Sequence, residues 1–388
     1  MAFSDVNSRA SRFAAKWFGT VGVLAFIIQP GIVQGFVDLL GLSDREAGLT
    51  ASAEMTGVAI TAILTAVFAH RINWQTTLYA CLVIAIVGNA CSALVETPSL
   101  IAATRFVAGI GHGGVISISF GAIGLTNQPD RNFALYLTWL LAYGAVGLLL
   151  LPTIFDTIGL AGLFWFFAVV CVLSLRAVKY IPHSADSRVE PEPMALEMPL
   201  PLKVTALAGV LAYNIGIGIA WAYLFLIGMA GGLGEQPVAN ALTVSQVAGI
   251  AGALVAVFLA HQLGRLLPMS VGILAGAGSL SLLLGSFDIT IYAVAVIGFN
   301  CLWNMTLPYI LAAAASFDRK GLMTLYAIAM QMIGLGIAPG LAALTLDESG
   351  GYAPMIMGSI LWLLASFVLI IFVTYQHRQR YAALQAAA

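Results

Sequence analysis

The sequence predicts an all-α membrane protein: twelve transmembrane helices in two pseudo-symmetric six-helix bundles. Three observations predict it. First, hydrophobic residues make up 61% of the 388 and charged residues 9%, with a mean hydropathy of +0.98. A soluble domain carries roughly 25% charged residues. A chain this poor in charge cannot cover its own surface in water, so lipid must solvate most of it. Second, the apolar residues fall into long segments, each able to cross a bilayer with some tilt. Third, one phrase occurs twice, half a chain apart: AVFAHRINWQ from Ala66 to Gln75, and AVFLAHQLGR from Ala256 to Arg265. The match extends upstream, where SAEMTGVA (Ser52 to Ala59) answers VSQVAGIA (Val244 to Ala251). A mostly apolar pattern built twice points to two half-bundles facing each other.

In chain order the predicted spans are 17–42, 47–69, 75–95, 99–126, 133–156, 161–181, 204–230, 238–262, 267–286, 289–316, 321–346 and 353–376. Basic residues (Arg9, Arg12, Lys16) precede the first. Its apolar run is too long for a signal peptide and further spans follow, so it reads as a retained helix. Turn chemistry separates later spans: NQPDRN at 127–132, GGLGEQP at 231–237, DESGG at 347–351. The longest polar stretch, 182–203, is rich in Pro and Glu. It reads as a linker between a first half (1–181) and a second half (204–388) with a short tail.

Basic residues orient the chain. With the N-terminus inside, only Arg45 of the 16 Lys and Arg residues falls in an outer loop and only Arg105 deep within a span; the other 14 are on the cytoplasmic side, Arg176 and Lys179 among them at the cytoplasmic end of span 161–181. The outer loops carry Asp44, Glu46, Glu96, Glu235, Asp347 and Glu348. This positive-inside bias places both termini in the cytoplasm. The net charge of −1 and short basic loops give no footprint for nucleic acid. Cys81, Cys91, Cys171 and Cys301 lie in apolar segments without metal-ligand spacing and read as small buried hydrophobes.

The repeat continues in its polar punctuation. Asp130-Arg131 answers Asp318-Arg319, and Pro152 answers Pro339, at offsets near 190 residues. Six spans per half with a cytoplasmic linker imply parallel repeats about the membrane normal. The loop after the second span reads FAHRINWQ, and its copy reads LAHQLGRLL. The fourth span reads RFVAGIGHGG from about two turns in, with Arg105, Gly109, Gly111 and Gly113, and LGLSDREAGLTASAEMTG follows the first span. With twelve spans and a central linker, these segments resemble the major facilitator superfamily over nearly the whole chain, the last of them in its bacterial members. The family's loop reads like GxLaDRxGRR, and its fourth helix like RxxxGxGxG. Arg71, Gly264 and Arg265 match the loop, but His70 and His261 stand where the family has Asp. The resemblance implies that this acid helps latch the halves on the cytoplasmic side, so a modified latch is expected, with His70, Arg71, His261 and Arg265 as gating residues.

Arg105 is the residue that physics singles out. An Arg near a helix centre costs about 2.5–3.5 kcal/mol on insertion scales unless paired or hydrated. Arg105, Gly109 and His112 share one helix face, whose glycines admit a neighbouring helix or a ligand. The functional reading is a cavity-facing Arg that binds substrate or tunes an acid; the plainer reading is a structural ion pair. Glu54, about two turns into the second span, is the natural partner. Asp38, four residues after Gln34 on one face, is expected at similar depth. Glu54 is preferred over Asp38 as the proton site, with His112 as a relay or a histidine satisfied by a neighbour.

Glu54 aligns with Gln246 and Arg105 with Val294, so the buried charges belong to the first half alone. The first half is therefore expected to handle protons and the second to offer uncharged contacts: Asn214, Trp221, Tyr223, Gln246, Asn300, Trp303, Asn304 and Gln331. These suit a small organic molecule or, read plainly, helix–helix contacts. Pro30, Pro152, Pro308 and Pro339 mark expected kinks for opening the cavity to alternate sides. Gly336 and Gly340 form a GxxxG packing step.

The expectation is a monomeric, proton-coupled secondary transporter of a small organic molecule in a bacterial inner membrane. It would work by alternating access, as efflux or organic-acid uptake, in contact with membrane lipid and with no cofactor beyond the proton gradient. The alternative is a non-transporting receptor or assembly factor on the same fold. No nucleotide-binding loop, HExxH or nucleophile elbow is present, which disfavours an enzyme.

Overall fold

The computed structural model describes residues 6–184, 196–259, 264–318, 322–346 and 351–387. The described residues contain no strand. Thirteen α-helices follow in order: α1 Arg9–Val21, α2 Leu24–Ile27, α3 Gln29–Leu40, α4 Asp44–Val67, α5 Trp74–Ser92, α6 Pro98–Gly124, α7 Pro129–Ser174, α8 Leu200–Ala230, α9 Glu235–Leu259, α10 Leu266–Ser281, α11 Ile289–Ala315, α12 Leu322–Thr345 and α13 Ala353–Ala387. Among the described residues nine helical stretches are long and apolar enough to cross a membrane. One of them, Arg131–Tyr180, has 50 residues. At 1.5 Å per residue that is about 75 Å of helix, more than twice a hydrocarbon core. It is interrupted at Gly159, whose φ of 65° and ψ of −175° leave the helical region. A left-handed φ is open to glycine at little cost, and the break falls between the predicted spans 133–156 and 161–181.

The first predicted span is not one helix. It divides into α1, α2 and α3, with breaks at Gly22–Val23 and Ile28. Pro30, expected to kink a continuous helix, instead occupies the first turn of α3. There its missing N–H would have had no partner anyway. The helix ends at Gly41, whose φ of 65° forms a left-handed cap. Ser43 and Glu46 then start α4 with reciprocal side-chain-to-backbone bonds, a capping box. Pro152, Pro308 and Pro339 do lie inside helices.

Glycines decide the close crossings. A Cβ on Gly109 or Gly113 would strike the α4 backbone at Glu54 or Val58, and one on Gly57 would strike the Phe106 carbonyl. Gly111 meets the α5 backbone at Ala85. Thus α6 lies at backbone contact between α4 and α5. The second half repeats the crossing, with Gly252 of α9 against the Cys301 backbone of α11. Across the two halves α4 packs on α12, and α7 on α9. The GxxxG step serves the first of these, with Gly336 on the Met55 backbone and Gly340 on Ser52.

Candidate functional site

The α4–α6 crossing places Glu54 beside Arg105. Both side chains are almost wholly buried, at 5% and 0% exposure, and form a two-point ion pair. Arg105 Nε donates to Glu54 Oε2 at 3.1 Å and its Nη2 to Oε1. The third guanidinium nitrogen, Nη1, donates to Asn89 Oδ1 at 2.8 Å. Phe164 lies under the guanidinium, 4.5 Å from Cζ to ring centroid. Since arginine only donates, Asn89 must turn its amide nitrogen the other way. Asn89 Nδ2 meets the Ala85 carbonyl at 2.9 Å and His112 Nε2 at 3.1 Å. His112 Nε2 is therefore an acceptor, and the proton of the neutral ring sits on Nδ1. Glu54, Arg105, Asn89 and His112 form one chain of polar groups sealed among α4, α5, α6 and α7.

A separate cavity of about 1430 Å³ lies between the halves. It runs from Ile27 and Gln246 at mid-molecule to Arg265, His377 and Arg378 at the end bearing the basic loops. Met55, Val58 and Ile116 line it, so α4 and α6 turn apolar neighbours of the charge chain to the cavity and keep Glu54 and Arg105 behind them. Across from them stand Gln246, Asn300, Trp303, Asn304 and Gln331. Four of these predicted residues sit on α9 and α11, and Gln331 on α12.

Their amides are linked. Asn304 Nδ2 donates to Asn300 Oδ1 at 2.7 Å, Asn300 Nδ2 to Gln246 Oε1 at 3.3 Å, and Gln246 Nε2 to the Ile27 carbonyl at 3.1 Å. That carbonyl belongs to the broken first span. Two neighbouring carbonyls there are also taken: Phe26 accepts from Trp221 Nε1 at 3.0 Å, and Leu24 from the Tyr143 hydroxyl at 2.9 Å. A helix break frees backbone acceptors that lipid cannot satisfy, and α7, α8 and α9 each send a side chain to one of them.

The opposite, acid-rich end is closed. The Tyr223 hydroxyl donates to the Asp44 carbonyl at 3.1 Å and Tyr352 to the Asp44 carboxylate. Ser52 donates to the Gly336 carbonyl at 2.8 Å, and Thr243 to the Ala145 carbonyl at 3.3 Å.

The model of the Major Facilitator Superfamily matches residues 18–339. The chain belongs to this superfamily. It is a membrane transporter rather than an enzyme. Two solved transporters share its fold. A crystal structure of a variant of the nucleoside transporter NupG superposes with a TM-score of 0.69 at 11% identity, over 94% of this chain and 99% of that one. A bacterial homologue of the human lysosomal transporter Spinster, in an inward-facing and unoccupied conformation, gives 0.72 at 13% identity over 97% and 99%. No curated protein sequence matches the chain.

The transporter distributes its other predicted residues widely. Asp38 does not join Glu54 and Arg105: it is exposed near the acid-rich end and accepts from Gln34. Arg105 and His112 are buried behind the cavity wall and do not face it. Asn214 and Trp221 are fully buried as well, Asn214 donating to the Val210 carbonyl of its own helix. Trp221 rests against Trp303, ring centroids 5.8 Å apart. Val294, in linear register with Arg105, is 56% exposed, so a uniform offset does not carry that site into the second half. His70 and Arg71 are exposed after α4. Arg265 donates to the Ala312 carbonyl at 2.9 Å, fastening α10 to α11. His261 lies outside the described residues. Asn89 was not singled out from the sequence. Its signal was an amide within an apolar span, sixteen residues before the Arg it serves.

Proposed function

We propose that this member of the superfamily is a proton-coupled secondary transporter of a small organic molecule, working by alternating access in a bacterial inner membrane. The cavity between the halves carries the reading. It is large enough for a small organic ligand, reaches mid-membrane, and ends among the basic residues that the positive-inside bias assigns to the cytoplasm. The described state is then inward-facing, with the division at 182–203 separating two moving halves.

Glu54 is the proton carrier in this reading. It lies ten residues into α4 from the closed end, on the far side of the cavity wall from the cytoplasm. Opening the outer end would wet the crossing and let Glu54 load a proton, which weakens its hold on Arg105. Asn89 and His112 then hold the guanidinium in place while the carboxyl is neutral. The amide chain from Asn304 to Ile27 supplies the link to substrate. A ligand bonded at Asn304 acts on the clasp around the first span, so occupancy biases the closed outer end.

Proteoliposomes loaded with unlabelled candidates test the reading. Labelled substrate should exchange by counterflow and accumulate when a pH gradient is imposed. Exchange that ignores the gradient would sink proton coupling, and absence of exchange for every cavity ligand would sink transport.

A further inference from the structure

The chemistry of the cargo is written in the hydrogen-bonding atoms that the cavity walls leave over. Among the described lining residues the only charged or titratable basic groups are Arg265, His377 and Arg378, all at the mouth, and no carboxylate is present. On the first-half wall the available hydroxyls are already engaged: Thr138 donates to the Ala134 carbonyl at 2.9 Å and Tyr136 to the Gly19 carbonyl at 3.5 Å. Beside them Met55, Val58 and Ile116 present only carbon and sulfur. That wall offers a ligand contact area and no free hydrogen-bond donor.

The second-half wall differs. Gln246 and Asn300 are spent on each other and on Ile27. Three neighbours are not. Asn304 uses its amide nitrogen on Asn300, which leaves Oδ1 as an acceptor. Gln331 has no described bond at either amide atom, and Trp303 none at Nε1, although its ring is packed by Phe26, Trp221 and Phe299. These groups lie on the adjoining helices α11 and α12. They supply two donor groups (Gln331 Nε2 and Trp303 Nε1) and two acceptor oxygens (Asn304 Oδ1 and Gln331 Oε1), all neutral.

We propose that the transported molecule is uncharged and two-sided. An apolar body lies against the first-half wall, and one amide-like edge, donor beside acceptor, meets Asn304, Gln331 and Trp303. A carboxylate offers only acceptors and an ammonium only donors. Either leaves part of this set unpaired and brings a charge to mid-membrane without a counter-charge. The inference rests on the transport reading for its biological meaning, but it concerns binding and is tested separately.

Purified protein in nanodiscs is titrated with four probes of one body: naphthalene, its carboxamide, its carboxylate and its aminomethyl cation, with binding read from tryptophan fluorescence. The carboxamide should bind at least about tenfold more tightly than each of the others, the scale of one or two net hydrogen bonds. Asn304→Leu and Gln331→Leu should each weaken it about fivefold or more, with circular dichroism reporting the fold. The ranking in the unaltered protein decides the matter even where a variant does not fold. A tighter carboxylate or cation, naphthalene binding as well as its amide, or binding by none of the four overturns the proposal. Carboxamide binding without counterflow overturns the transport reading and leaves the ligand class standing.

Discussion

At the scale of single residues, the buried charge chain sets the strongest expectations. Arg105 has three polar contacts and an aromatic face, and none of its surface meets solvent. Breaking a buried pair from one side leaves an uncompensated charge and costs about 3–5 kcal/mol. Arg105→Leu alone should therefore lower thermal stability in detergent sharply, and adding Glu54→Gln should restore part of the loss. Additive losses in that double-mutant cycle would contradict the pairing. In proteoliposomes Glu54→Gln should abolish pH-driven accumulation, because an amide cannot take up and release the coupled proton; unchanged accumulation would remove Glu54 from coupling. The pairing of Glu54 with Arg105 was legible in the sequence because an unpaired intramembrane Arg is so costly that the nearest acid at equal depth is the expected partner. Asn89 was not legible, because an amide in an apolar span has many possible partners and linear sequence ranks none. Asp38 differs for another reason: it lies two residues before the end of α3, whereas Glu54 lies ten residues into α4, so the two do not share a depth.

At the scale of elements, the glycine crossings and the broken first span do most to place the site. Gly109 meets the Glu54 backbone, whereas a Cβ on Gly124 of the same helix would meet nothing within 4 Å. Gly109→Val should destabilise the protein by about 1–3 kcal/mol or more through overpacking, and Gly124→Val by far less. Equal melting temperatures for the two would contradict the close crossing. The clasp on the first span makes a different prediction. Trp221→Phe removes one hydrogen bond and Gln246→Leu two, of which the one to the Ile27 carbonyl belongs to the clasp; with each bond worth about 0.5–1.5 kcal/mol, each variant should raise the population open at the acid-rich end by about tenfold or less per clasp bond lost. Alkylation of a cysteine placed at Ser52 reads that population, and an unaltered rate would argue that the clasp holds nothing shut. The glycine run of α6 is visible in the sequence, but the sequence does not say whether it admits a helix or a ligand; the structure seats α4 and α5 there. The division of the first span was not visible: five glycines and Pro30 are spread along it without marking which positions break the helix, and the freed carbonyls of Leu24, Phe26 and Ile27 are satisfied by side chains from α7, α8 and α9, more than a hundred residues away.

At the scale of the whole molecule, the two halves meet at one end and part at the other. Asp44, Ser52 and Thr243 bond across the acid-rich end, while the basic end surrounds the mouth of the cavity. Composition and the repeat made the all-helical membrane fold legible, because lipid solvation and duplication leave marks that need no contacts to detect. The cavity left no such mark. It is formed by residues from both halves, and most of its lining is indistinguishable in sequence from lipid-facing surface. Alternating access predicts that the two ends move in opposition. The most direct test places spin labels, in a cysteine-free background, at Val67 and Phe258 near the basic end and at Leu94 and Leu344 near the acid-rich end, all exposed positions on opposite halves. Distances are then measured by double electron–electron resonance across a pH series with and without a cavity ligand. The first distance should shorten under the same conditions that lengthen the second. Two distances that stay fixed, or that lengthen together, would contradict an alternating-access transporter.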